Sequence, residues 1–327
     1  MNEEVDKSKI IFQIHPCTEE GYVTIEAKLY LGSPFGRPGE DFFDTKQMCS
    51  SLRRVGLFDS LRCSEEMGYA LAEWEGKRIH VFKGGKIIIR RAKDEEDARK
   101  TLDIIGRTLW GTIPCSCGRP LIYCTSGACA ECSKKICPIL ASPPFVDIPK
   151  STSEIKGGEV FDYIEKVETK DLFLKAFEKL GDYVGVIKEL DGKLVRKDFS
   201  DIDALVERAE TSVEEACEAG SRFIIETPDD HQAALGIIFL GMAEDLWMML
   251  DAMLLLKYVR FEAEEYETAR DIALDSYQAF LNNDQTKASE IIKRYRKFLR
   301  KKHPRPVIEI AKSGFHIARM VTKPFPV

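Results

Sequence analysis

Residues 68–109 read GYALAEWEGKRIHVFKGGKIIIRRAKDEEDARKTLDIIGRTL, and this stretch decides the fold of the N-terminal part of the chain. Gly68 to Trp74, Arg78 to Phe82 and Lys86 to Arg91 alternate apolar and polar residues or run apolar, the pattern of strands with a buried face. Glu75-Gly76 and Gly84-Gly85 separate them, and both dipeptides suit tight hairpin turns. Ala98, Leu102, Ile105 and Leu109 recur at intervals of 4, 3 and 4, which predicts an amphipathic helix lying on the sheet. Asp94, Glu95, Glu96 and Asp97 crowd its first turn, where negative charge meets the positive end of the helix dipole.

Upstream, residues 9–16 (KIIFQIHP) and 22–31 (YVTIEAKLYL) read as strands joined through a CTEEG turn, and SPFGRPGEDF reads as a loop before a helix from Phe42 to Arg54. The expected class is α+β, with an N-terminal domain over residues 1–112. Within it, HVFKGGKIIIRRAKDEEDARK (residues 80–100) resembles the strand–turn–strand–helix unit of each half of the TATA-binding protein. The matching residues are Phe82, Gly85, Lys86, Ala92, Lys93, Glu95, Glu96 and Arg99. The resemblance implies a curved antiparallel sheet with helices on one face. It does not bring DNA binding with it, because the intercalating phenylalanine pairs of that family have no counterpart that can be placed here.

Residues 113–150 form a different kind of segment. Six of the ten cysteines fall within 23 residues: Cys115, Cys117, Cys124, Cys129, Cys132 and Cys137, the last followed by Pro138. The run CPILASPPFVDIPK then serves as a Pro-rich linker. Residues 151–200 are expected to form a small α/β piece, with a helix over 169–180 and a hairpin of residues 184–190 and 193–196 turning at Asp191-Gly192. Residues 201–327 read as an all-α bundle. Its most apolar stretch, Leu235 to Tyr258, is interrupted by Glu244, Asp245 and Asp251. An acidic residue costs roughly 2.5–3.5 kcal/mol at a bilayer centre, so the stretch reads as a buried bundle helix and no membrane span is expected.

The start, MNEEVDKSK, has no signal-peptide pattern, and a cytoplasmic, reducing location is the expectation. Dense cysteine there points to metal or redox chemistry before structural disulfides. Cys17, Cys49, Cys63 and Cys217 lie apart and read as small buried hydrophobes, with the first three open as distant ligands.

Thiolates bind soft or borderline metals, and three chemistries compete. Cys129-x2-Cys132-x4-Cys137-Pro138, with Cys124 upstream, supplies the four thiolates of one [4Fe–4S] cluster, and small neighbours such as Gly127 and Ala128 let backbone N–H groups approach the sulfides. The Cys-Pro end resembles bacterial ferredoxins, although the spacing departs from their x2, x2, x3 run. Zinc is the second candidate, held by Cys115, Cys117, Cys129 and Cys132 as a tetrahedral site. Thiol exchange at Cys129-Ala-Glu-Cys132 is the third, and it lacks the preceding strand that such a pair uses.

Net charge is −6, yet between Lys287 and Lys323 twelve basic residues face only Glu290 and Glu309. This end suits an anionic partner or the chain's own acidic helices. Tyr295 and Phe298 can stack bases, or can join Ile291, Ile292 and Leu299 in a bundle-packing stripe, the preferred reading. No phosphate loop, dinucleotide fingerprint or nucleophile elbow occurs, and whether the chain is an enzyme stays open. The five histidines read as satisfied or surface residues. The expectation is an iron–sulfur protein of anaerobic type that transfers electrons or holds and delivers a cluster within a larger complex. The alternatives are a zinc-stabilised nucleic-acid-binding or scaffold protein, and an iron–sulfur enzyme.

Overall fold

The structure is a computed structural model, and it describes residues 9–17, 21–30, 42–114, 119–125, 154–156, 170–196, 198, 200–227, 230–282, 284–322 and 324–326. Strands β1 (Lys9–Pro16) and β2 (Val23–Tyr30) pair as a hairpin, and helix α1 (Thr45–Arg54) follows. A meander of β3 (Ser60–Ser64), β4 (Tyr69–Trp74), β5 (Lys77–Phe82) and β6 (Lys86–Ala92) leads into α2 (Glu95–Leu109). Every pairing is antiparallel, and the spatial order is β1-β2-β6-β5-β4-β3.

The alternation in sequence becomes two faces. Ile25, Ala27, Ala70, Ala72, Ile79, Val81, Ile87 and Ile89 are buried on the face that receives α1 and α2. The expected helix positions Ala98, Leu102, Ile105 and Leu109 are all buried against it. At roughly 1.5–3 kcal/mol per fully buried large aliphatic side chain, this layer outweighs any local preference. Caps match the sequence: Asp44 accepts from the Gln47 amide at 2.9 Å, and Asp94 from the Asp97 amide at 2.8 Å. At Glu75-Gly76 both residues have positive φ, 50° and 76°, the geometry of a two-residue hairpin turn.

Strand β3 alternates only over a short span, with Leu61 and Cys63 half-buried against the core between exposed Ser60 and Arg62, and it pairs with β4 at the sheet edge. It also carries a correction. Cys49 and Cys63, expected as separate small hydrophobes or distant ligands, are joined in a disulfide with Cα atoms 5.6 Å apart. The buried side of α1 passes over β3, which brings together two residues 14 apart in sequence. Closing a loop of that size contributes on the order of 3 kcal/mol on a chain-entropy argument.

After a single-turn 3-10 segment (Trp110–Thr112) and the short helix α3 (Leu121–Thr125), strand β7 (Glu154–Lys156) pairs with β8 (Pro324–Pro326) at the other end of the chain. The helical region comprises α4 (Lys170–Arg196), α5 (Ile202–Glu226), α6 (Asp230–Leu255), α7 (Ala263–Leu281), α8 (Gln285–Phe298) and α9 (Arg305–Thr322).

The hairpin expected around Asp191-Gly192 does not form. Residues 170–196 are one helix, and α4 packs lengthwise on α5 as part of the bundle. Phe173, Phe177, Leu180, Tyr183, Val184, Ile187, Leu190 and Leu194 make a buried stripe at helical spacing. Glycine costs a helix about 1 kcal/mol, far less than this stripe returns by burial. Asp191 is held by the Tyr266 hydroxyl at 2.7 Å and by Arg270 at 3.3 Å, so its polarity serves a tertiary contact instead of a turn.

Helix α6 is the hub of the bundle. Within Gln232–Tyr258 an 18-residue window has a mean hydropathy of 1.6, enough by length and composition to cross a membrane, but 83% of that window is buried inside the protein. Aromatic rings fill the bundle core, with Phe173 4.8 Å from Phe223 and Phe177 4.9 Å from Phe239. A single apolar core runs from the sheet through α1 and α2 into the bundle. Arg107 of α2 stitches that junction, donating to the carbonyls of Ile224 at 3.3 Å and Thr227 at 3.0 Å at the end of α5.

Candidate metal centre

The described residues that flank the first cysteines meet at a defined place. Pro114 and Pro120 form an antiparallel bridge, and the Leu121 amide donates to the Ile113 carbonyl at 2.8 Å. Cys115 and Cys117, between them in sequence, lie outside the described residues. Helix α3 follows at once, because Leu121 and Ile122 bury completely against α6. The backbone of Cys124 belongs to α3. Cys129, Cys132 and Cys137 lie outside the described residues. The chain re-emerges at β7, beside α9, and α9 packs on α6. Both roots of the segment are therefore fixed to the same pair of helices.

The other cysteines are accounted for differently. Cys49 and Cys63 are bonded to each other, and Cys17 is half-buried where β1 turns toward β2. Cys217 is buried on α5, and burial pushes its thiol up to about 11. A thiol so raised stays protonated at neutral pH and is a poor nucleophile. Among the described residues no group of three or more His, Cys, Asp or Glu is arranged to hold a metal ion.

Beneath α3 lies a polar cluster that sequence reasoning missed. The Gln47 amide donates to the Tyr123 hydroxyl at 2.8 Å, tying α3 to α1. Burial and then the charge of Glu244 raise the Tyr123 phenol above its ordinary pKa. Glu244 forms a salt bridge with Arg54 of α1. Its neighbour Asp245 accepts or donates to His316 of α9 at 2.8 Å, with the two residues 1% and 3% exposed. Gln47 Oε1, Arg54 Nη1 and Asp245 Oδ2 are buried without a hydrogen-bond partner. Isolated acidic and histidine positions in a sequence signal no such pairing, since the partners stand 71 and 190 residues apart.

Burial pushes the Asp245 carboxyl up to about 6, and the bond and charge of His316 act in the opposite direction. The folded protein thus keeps a proton that the unfolded chain, with an aspartate near 3.9, releases. Stability from this group is present below about pH 4 and lost as pH rises through about 6, on the order of 2–3 kcal/mol in total. Urea unfolding of Asp245→Asn across this window is expected to show a flatter pH dependence than the native chain. An unchanged slope would assign the dependence to other groups.

A cavity of about 590 Å³ opens between α1, α5 and α6, with Arg53, Arg54, Glu214, Glu218, Glu244 and Trp247 among its walls. Its charges are of mixed sign, and its one thiol, Cys217, is kept protonated. Comparison of the chain with protein-family models, curated proteins and solved structures returns no match.

Proposed function

We propose that this protein holds an iron–sulfur cluster on residues 113–150 and works in electron transfer, or in holding and delivering a cluster within a larger complex. The observation that carries the reading is the donor set itself: Cys124, Cys129, Cys132 and Cys137-Pro138 offer four thiolates on one short length of chain, with Cys115 and Cys117 in addition. The donor chemistry fits an iron–sulfur group, since clusters are held by cysteine thiolates. The distant cysteines support the assignment by subtraction, because Cys49 and Cys63 are bridged and Cys217 is a buried thiol. Any cluster ligands thus come from within the segment, apart from Cys17.

Rooting both ends of the segment on α6 and α9 favours a cofactor carrier over a loose tail. The sheet, with helices on one face, suits the proposed likeness of residues 80–100 to a TATA-binding-protein half, and that likeness is proposed for the fold alone.

Protein purified without air is expected to be brown, to bleach with dithionite, and to release iron and acid-labile sulfide in comparable amounts. One observation favours a second reading. The bridge between Pro114 and Pro120 sets the residues flanking Cys115 and Cys117 side by side, which suits a tetrahedral zinc site shared with Cys129 and Cys132. Colourless protein with stoichiometric zinc and no sulfide would replace the iron reading by that one.

A further inference from the structure

The basic C-terminal region resolves into one exposed stripe. Helix α8 buries Ala288, Ile291, Tyr295 and Phe298. Tyr295 stacks on Phe315 with centroids 4.5 Å apart, and Phe298 stacks on His303 at 3.9 Å. Both aromatic rings are thus committed to packing, and neither is available to a base. The opposite face and the turn after it expose Lys293, Arg296, Lys297, Arg300, Lys301 and Lys302. None of these six has an ion-pair partner among the described residues, whereas Lys287 and Arg294 on the flank both bind Asp275.

The positions 293, 296/297 and 300/301 follow helical spacing, and the turn continues through hydrogen bonds from the Arg300 N–H to the Lys297 carbonyl and from the Lys301 N–H to the Phe298 carbonyl. They span roughly 12 Å at 1.5 Å per residue. Complementing the helix dipole accounts for a cation or two in the last turn. It does not account for six that repel one another at helical neighbour distances in a chain of net charge −6.

We propose that this stripe binds the phosphate backbone of a nucleic-acid duplex without reading its sequence. A protein partner is disfavoured because protein interfaces have apolar centres and are depleted in lysine, while this face carries Leu299 as its one exposed large hydrophobic residue. Phosphate recognition needs only positive charge at suitable spacing, and it gains by release of condensed counterions. With base stacking closed off, binding is governed by charge and by helix geometry.

The test uses the full chain and a labelled DNA duplex of about 20 base pairs, in two unrelated sequences, read by fluorescence anisotropy. Four phosphate contacts predict equal affinity for both sequences and a loss of about 100-fold between roughly 50 and 200 mM salt. Combined Arg296→Glu, Lys297→Glu, Arg300→Glu and Lys301→Glu are expected to lower affinity at least about 100-fold at low salt, with circular dichroism unchanged and the thermal midpoint lowered only slightly, because these side chains are exposed and only the last-turn dipole interaction is lost. Lys175→Glu and Lys188→Glu on α4, away from the stripe, serve as the charge control and should leave binding nearly intact. Three results would each overturn the proposal: no binding at low salt, equal loss in stripe and control variants, or tighter binding to polyglutamate or anionic phospholipid vesicles than to the duplex.

Discussion

Cys132→Ser is expected to strip the protein of its iron and sulfide when it is prepared without air, by at least roughly tenfold per chain. Cys132 stands in the middle of the densest cysteine run, three residues after Cys129 and five before Cys137. Serine keeps the size but replaces a soft, readily ionised sulfur with a hard hydroxyl that stays protonated at neutral pH, so iron loses a thiolate bond. Cys217→Ala is the matched control. Its thiol is buried on α5 and kept protonated, so iron content should not change. Equal iron in Cys132→Ser and native protein would remove Cys132 from the ligand set. Loss of iron in both variants would point to general destabilisation instead.

Gly314→Ala should be the most damaging small substitution in the helical region. At Gly314, α9 crosses α7 so closely that an added Cβ would stand 2.5 Å from both the Ala273 Cα and the Ile272 carbonyl oxygen. Those atoms are backbone, so no rotamer change relieves the clash and the two helices must separate. Alanine would otherwise stabilise a helix by up to about 1 kcal/mol over glycine. Overpacking of a core costs about 1–3 kcal/mol, and an immovable backbone puts this site at the upper end or beyond. Against a typical total of about 5–15 kcal/mol, the sign is decided by sterics. Thermal melts should show a drop of roughly 6–10 °C. Gly181→Ala on α4 meets nothing within 4 Å and should be neutral or mildly stabilising. A Gly314→Ala protein as stable as the native one would mean that α7 and α9 are farther apart than described. The consequence reaches β7, beyond the cysteine segment, because α9 carries His316 to Asp245 and leads into β8, which holds β7.

The sheet was readable wherever one face meets the core. In β4, β5 and β6 the buried and exposed positions alternate, and Glu75-Gly76 turns as its residues demand. Strand β3 escaped because its apolar face is only Leu61 and Cys63, too short an alternation for a five-residue edge strand to announce itself. Asp191-Gly192 misled for the opposite reason: a strong local turn signal lies within a longer apolar stripe, and the stripe wins when α5 is there to cover it. The pairing of Cys49 with Cys63 depended on α1 lying over β3, a contact between elements that neither sequence neighbourhood contains.

The chemistry of the candidate centre was legible as residue types, since six clustered cysteines need no fold to be noticed. Its anchoring was not. The Pro114–Pro120 bridge, the seating of α3 on α6 and the β7–β8 pairing bring together residues up to about 170 positions apart, and such closure is decided by packing. The same division holds at the basic end. Charge and the spacing of Tyr295 and Phe298 stand in the amino-acid order, while the choice of which side faces water came from α7 and α9 occupying the other.

Periodicity, turn chemistry and ligand type belong to the sequence by itself, because each is set by side chains within a few residues of one another. Arg54 meeting Glu244, Asp245 meeting His316, and the common footing of both ends of the cysteine segment belong to the tertiary structure. The physical reason is that burying one continuous apolar core determines which distant polar groups must share the space left over.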